Sequence, residues 1–179
     1  QRYNRGWSYG NTVTDPRTGE IIKGHVTLGA LRVRQDYLIA EGLLSPYKTG
    51  DERATAAEAM SLARLRQLAA HEVGHTLGLQ HNYISSVANR ASVMDYPHPV
   101  AKLNADGSID LADAYAVGIG GWDKEAIKFG YSDFAPGTDQ PKALDALLAG
   151  ARSKGVHFLS DQEARPLGSA HPQTHLWDN

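Results

Sequence analysis

The segment His71–His81 reads H-E-x-x-H-x-x-G-x-x-H, and no other stretch constrains the fold of this chain as much. His71 and His75 are four residues apart, so on a helix they lie one above the other on the same face. Two neutral imidazoles placed so can meet one metal ion at about 2.0–2.1 Å each. Glu72, one residue on, is turned about a quarter of the way round the helix axis. From there it can reach a water held at the ion without being a ligand. Gly78 comes three residues after His75, where glycine tolerates the left-handed backbone that ends helices. The chain can turn there and return His81 as a third ligand. Three protein ligands leave the fourth tetrahedral position of zinc open, which is the catalytic and not the structural arrangement. The pattern therefore reads as a site for one Zn2+ per chain with a general base beside it. A bare H-E-x-x-H can also be two solvated histidines on a helix. The full eleven-residue pattern, with its glycine and third histidine, is far more restrictive.

Met94 follows His81 by thirteen residues, within Ser92-Val93-Met94-Asp95-Tyr96. The extended motif followed by a methionine turn resembles the metzincins, a clan of zinc endopeptidases. In that clan a tight turn sets a Met side chain beneath the metal as an apolar floor. The resemblance gives this place to Met94, one of two methionines in the chain. Taken alone, a Met before a polar turn is ordinary core packing. In astacin-like and serralysin-like metzincins a Tyr two residues after the Met contacts the zinc in the free enzyme. It then stabilises the oxyanion of the tetrahedral intermediate. The resemblance implies that role for Tyr96; the plain reading is a packed Tyr with a satisfied hydroxyl.

Further segments resemble a family of large bacterial zinc peptidases, the Met-zincin proteins. They are Asp15–Ile21, the zinc helix, Trp122–Tyr131 and Ser169–Asn179. The resemblance implies an α+β, metzincin-like protease catalytic domain, mostly helical with a small sheet. It also implies a longer parent chain with flanking domains, and export to the bacterial cell envelope or the extracellular space. Metzincin sheets carry several strands ahead of the edge strand, and little room for them precedes residue 20. The upstream strands are expected to be missing from this sequence.

The chain has 179 residues, enough for one domain with its own core. A formal net charge of -2 and a pI near 6.5 give no nucleic-acid or polybasic membrane signal. No apolar run approaches the roughly 18 residues that span a bilayer. With no cysteine, disulfides and thiolate metal sites are excluded, which leaves histidines as the ligands. The chain opens at Gln1 without an initiator Met or a signal peptide, and reads as a piece of a longer polypeptide.

Along the chain, residues 1–29 are an N-terminal segment, irregular or weakly extended to residue 14. Asp15–Gly19 is a turn. Residues 20–28 form a strand. The resemblance makes that strand the edge of the cleft, binding an extended substrate through backbone hydrogen bonds; the plain reading is an internal strand. His25 within it reads as structural. Residues 30–81 are helical: one helix over 30–41, a break with Pro46 and Gly50, then Asp51 as N-cap of a helix over 52–78. Leu62, Ala69, Val73 and Leu77 form a stripe expected to face the core. Residues 82–179 hold the Met-turn and a C-terminal helical subdomain. Asn104–Asp110 resembles a calcium loop faintly, but lacks the sixth-position glycine and the bidentate Glu, and reads as a solvated turn. Helices are expected over Trp122–Tyr131, with Trp122, Ala126, Ile127 and Phe129 reaching the core, and over Pro141–Lys154. Val156–Leu159 is a candidate short strand. His171 and His175 lie in a polar, proline-containing tail and are expected to take no part in catalysis.

The reading that unites these features is a zinc-dependent metalloendopeptidase acting on a peptide or protein substrate. His71, His75 and His81 hold the metal, and Glu72 takes a proton from the attacking water and delivers it to the leaving amine. Two alternatives stand beside it: a catalytically silent zinc-binding or assembly domain, and a zinc hydrolase of non-peptide amides. Glu72 argues against the first, because a purely structural site has no use for a carboxylate beside its ligands.

Overall fold

The computed structural model describes residues 7–45, 54–88 and 90–164. The architecture is α+β, mostly helical with small sheets. The expected N-cap Asp51, the break at Pro46 and Gly50, and the tail with His171, His175 and Ser169–Asn179 lie outside the described residues. Two compact units are formed, Gln1–Gly78 with His98–Gly118, and Leu79–Pro97 with Ile119–Asn179. Among the described residues no helix is long and apolar enough to cross a membrane.

In the first unit, β1 (Tyr9–Thr14) and β2 (Ile21–Thr27) pair antiparallel from Tyr9↔Thr27 to Thr14↔Ile21. Asp15 closes the hairpin, its N–H donating to Glu20 O at 2.8 Å and its carboxylate accepting from Arg17 N at 2.8 Å. Of the two readings of this segment, irregular or weakly extended, the second holds for residues 9–14, which form a paired strand. Gly10, Asn11 and Thr12 carry little strand propensity, but the turn fixes the register and the partner strand supplies the ladder. His25 is exposed on β2; its Nε2 lies 3.1 Å from Thr27 Oγ1 and its ring stacks on Tyr9.

Helices α1 (Ala30–Leu44) and α2 (Ala54–Thr76) pack together. Their core gathers Ala40, Ala57 and Met60 with Leu111, Ala114 and Tyr115. The buried positions of α1 are Arg32, Asp36 and Ala40, four apart, and Arg32 donates to Asp36 at 3.0 Å. On α2 the stripe Leu62, Val73, Leu77 is not the core face: these side chains are 43%, 48% and 39% exposed. The buried face instead steps through Ala57, Met60, Arg64, Gln67 and His71. Arg64 donates to Gln67 and lies over the Tyr115 ring, so a polar pair fills a place that periodicity assigns to leucine.

The hairpin reaches α2 through its glycines. A Cβ on Gly10 would sit 2.1 Å from the Glu72 carbonyl oxygen. A Cβ on Gly24 would sit 2.9 Å from the Thr76 Cβ. Gly10→Ala is therefore expected to push β1 off the helix, at about 1–3 kcal/mol for overpacking against backbone that cannot yield. A lowered urea midpoint would register it; an unchanged midpoint would mean the strand does not seat there. The unit is completed by β3 (Lys102–Leu103) and β4 (Ile109–Asp110). Their turn is solvated: Asp106 accepts from the backbone N and hydroxyl of Ser108 at 2.9 and 2.6 Å.

In the second unit a single 3-10 turn (Ser85–Ala88) precedes the Met-turn. It is followed by α3 (Gly121–Tyr131), α4 (Gln140–Ser153) and the four-residue α5 (Asp161–Ala164). Asp139 caps α4 by accepting from Lys142 N, with Pro141 in its first turn. On α3, Trp122 stacks on Phe158 at 5.5 Å, but Phe129 is 42% exposed, against the expectation that it reaches the core. Residues 156–159 are not a strand. Val156 N donates back to Ala151 O at the end of α4, and the next residues are held by a side chain: Asn82 Nδ2 donates to His157 O at 2.8 Å and Leu159 N donates to Asn82 Oδ1 at 3.1 Å.

Candidate metal centre

His71 and His75 stand one turn apart near the end of α2. Their Nε2 atoms face each other at 3.1 Å, with ring planes at 88°. Two nitrogens on one tetrahedral ion at about 2.0–2.1 Å would be about 3.3–3.4 Å apart, so the pair is spaced for a shared metal. After Thr76 the chain leaves the helix through Gly78, whose φ is 82°. A side chain would strain there, as the motif predicts. Three residues on comes His81. His71, His75 and His81 each offer a ligand atom, all within 4.8 Å of one another. Neutral imidazoles and no thiolate form a donor set suited to zinc.

Glu72 is only 4% exposed. Burial pushes its carboxyl up to about 7, against the opposing pull of the Gly10 backbone N–H and the Arg64 guanidinium. A carboxyl that changes protonation near neutrality can both accept and return a proton.

The turn holding Met94 is built from buried acids. Met94 is fully buried; its N donates to Ser92 Oγ at 2.8 Å and its O accepts from Asn82 N at 2.8 Å. Ser92 Oγ donates to Asp123 Oδ1 at 2.5 Å, and Asp123 Oδ2 accepts from Val93 N at 2.9 Å and Gly120 N at 2.6 Å. Asp95, 1% exposed, accepts from Ser86 N and Tyr96 N at 2.8 and 2.7 Å. The turn so fixed aims Tyr96 at the third histidine: its hydroxyl lies 3.1 Å from His81 Nε2. His81 also stacks on the buried Tyr83 at 4.9 Å.

The motif thus brings its histidines together and puts Tyr96 beside one of them. Asn82, Asp123 and Asp161 were missed as site residues. Asp123 reads in sequence only as an acid in the first turn of a helix, and nothing local links it to a turn thirty residues earlier. Asp161 lies 3.1 Å from His81 Nδ1 across eighty residues, beyond any periodic pattern. A family model described as Met-zincin matches residues 53–179. Comparison with curated proteins and with solved structures finds no match.

Proposed function

Because the chain belongs to the Met-zincin family, we propose that it is a zinc-dependent metalloendopeptidase, hydrolysing internal peptide bonds of a peptide or protein substrate. The observation that carries this is the cluster of His71, His75 and His81, with a buried carboxyl, Glu72, directly after the first of them in the chain. When bound, zinc supplies Lewis acidity, which polarises the scissile carbonyl and lowers the pKa of water toward about 7. Glu72 takes the proton from the attacking water and then delivers it to the leaving amine, two duties that one carboxyl beside the ligands can serve. Tyr96 donates a hydrogen bond to the oxyanion that develops as the carbonyl is attacked. Met94 packs in its turn without ligating, since a thioether is poorly matched to a three-histidine zinc site.

The test is metal analysis together with peptide cleavage. The full chain, supplemented with zinc, is expected to hold one equivalent and to cleave a peptide library. A chelator and the substitution His75→Ala should each abolish both metal and cleavage. Zinc binding without cleavage of peptides or other amides would leave a binding domain in place of an enzyme. Cleavage of non-peptide amides alone would change the substrate class.

Tyr96 offers a sharper readout. Its hydrogen bond strengthens only as charge appears, so it lowers the barrier without tightening the ground state. Tyr96→Phe should lower kcat by about 10²–10³, with zinc content and KM little changed. An undiminished kcat would return Tyr96 to packing.

A further inference from the structure

His81 meets a carboxylate on the side away from Tyr96. Its Nδ1 lies 3.1 and 3.2 Å from the two oxygens of Asp161. An ionised carboxylate has no proton to give, so Nδ1 must carry the hydrogen of this contact. The lone pair of the neutral ring is then on Nε2, and the Tyr96 hydroxyl at 3.1 Å donates to it. One contact fixes the tautomer, and the other marks the nitrogen left to bind.

The placement of Asp161 is built. Asn82, directly after His81 and fully buried, grips residues 157 and 159 through both ends of its amide. Ser160 then precedes α5, its N and hydroxyl donating to Glu163 Oε2 at 2.9 and 2.7 Å. Asp161 is the first residue of that helix. The side chain next to the third histidine thus anchors the segment that brings a carboxylate back onto it.

We infer that Asp161 is a positioning residue for the metal: it accepts from His81 Nδ1, fixes the tautomer and ring orientation, and raises the basicity of Nε2. This rests on the reading of His81 as a zinc ligand. A carboxylate behind a ligating imidazole acts in this way in many metal sites, and its loss typically weakens metal binding about 10–100-fold. Side-chain exposure separates this role from a structural one. Asp161 is 49% exposed and His81 18%, and a pair so open to water adds little to folding. The effect should therefore fall on the metal and spare the fold.

The experiment measures zinc affinity of the full chain by competition with a chelator, and stability by urea denaturation. Asp161→Ala is expected to weaken zinc binding about 10–100-fold, with its urea midpoint close to wild type. Asp161→Asn keeps a neutral acceptor and should lose less. In the zinc-loaded wild-type protein, long-range proton–nitrogen spectra should show His81 protonated at Nδ1 and coordinated through Nε2. That measurement needs no variant and decides the matter even if one fails to fold. Coordination through Nδ1, or wild-type zinc affinity in a folded Asp161→Ala, overturns the inference. His81→Ala distinguishes the two levels. If it leaves zinc affinity unchanged, the ligand reading falls; if it abolishes binding while Asp161→Ala has no effect, only the role of Asp161 falls.

Discussion

Glu72→Ala is expected to keep its zinc and lose turnover. Proton transfer by a placed side chain is worth about 10²–10⁴ in rate, and the proposed mechanism gives one carboxyl two transfers. The loss in kcat should therefore reach several orders of magnitude while metal content stays at the wild-type value. Glu72 is not one of the three clustered histidines, so its removal leaves the donor set intact. It is buried and in contact with the Gly10 N–H, so Ala also leaves a hole and an unpaired donor. Glu72→Gln, which keeps the volume, is the companion variant and should be nearly as inactive. Metal analysis beside steady-state cleavage of one peptide decides it. A Glu72→Gln enzyme with wild-type turnover would remove the proposed base.

Asp123→Ala should give the largest loss of stability. This side chain is 2% exposed and satisfies the Ser92 hydroxyl, Val93 N and Gly120 N at once. Truncation strands all three, and each buried polar group left unpaired costs about 1–3 kcal/mol. The sum, about 3–9 kcal/mol, is a large share of the roughly 5–15 kcal/mol that holds a domain folded. Urea denaturation should show the midpoint falling steeply. Asp123→Asn, which keeps one acceptor oxygen, should fall between. Because the same bonds hold the turn carrying Met94 and Tyr96, any folded fraction should also show a reduced kcat. A wild-type urea midpoint for Asp123→Ala would mean that water replaces the carboxylate at no cost.

The helices were legible because their signals are local. Pro141 opens α4, and Gly78 turns the chain after α2, each within a residue or two of where sequence puts it. The histidine cluster was legible for the same reason: eleven consecutive residues contain all its geometry. The errors arise where a distant partner overrides the local pattern. Arg64 and Gln67 look like solvent-facing residues, yet Tyr115 and the helix core take them in, leaving Leu62 and Val73 outside. Val156–Leu159 has the look of a strand, but its partner is the amide of Asn82. β1 has the opposite fault: its glycine, asparagine and threonine hide a strand that exists because Gly10 must lie flat against α2. Asp123 and Asp161 are ordinary acids until the fold supplies the groups they accept from.

The contact between His81 and Asp161 closes a loop of 80 residues, and that between Asn82 and His157 one of 75. His71 and His81 are ten apart in the chain. Loop-closure entropy rises by about 0.6 kcal/mol per doubling of length, so the long contacts cost about 2 kcal/mol more to form than the ligand cluster does. The imidazoles can therefore gather early, on a chain still lengthening, as soon as residue 81 is free to turn. The carboxylate behind them is available only once residues beyond 157 have been made, where the Asn82 amide holds them. If the cluster takes up zinc as proposed, the ligands become available on the growing polypeptide before the carboxylate that completes their surroundings.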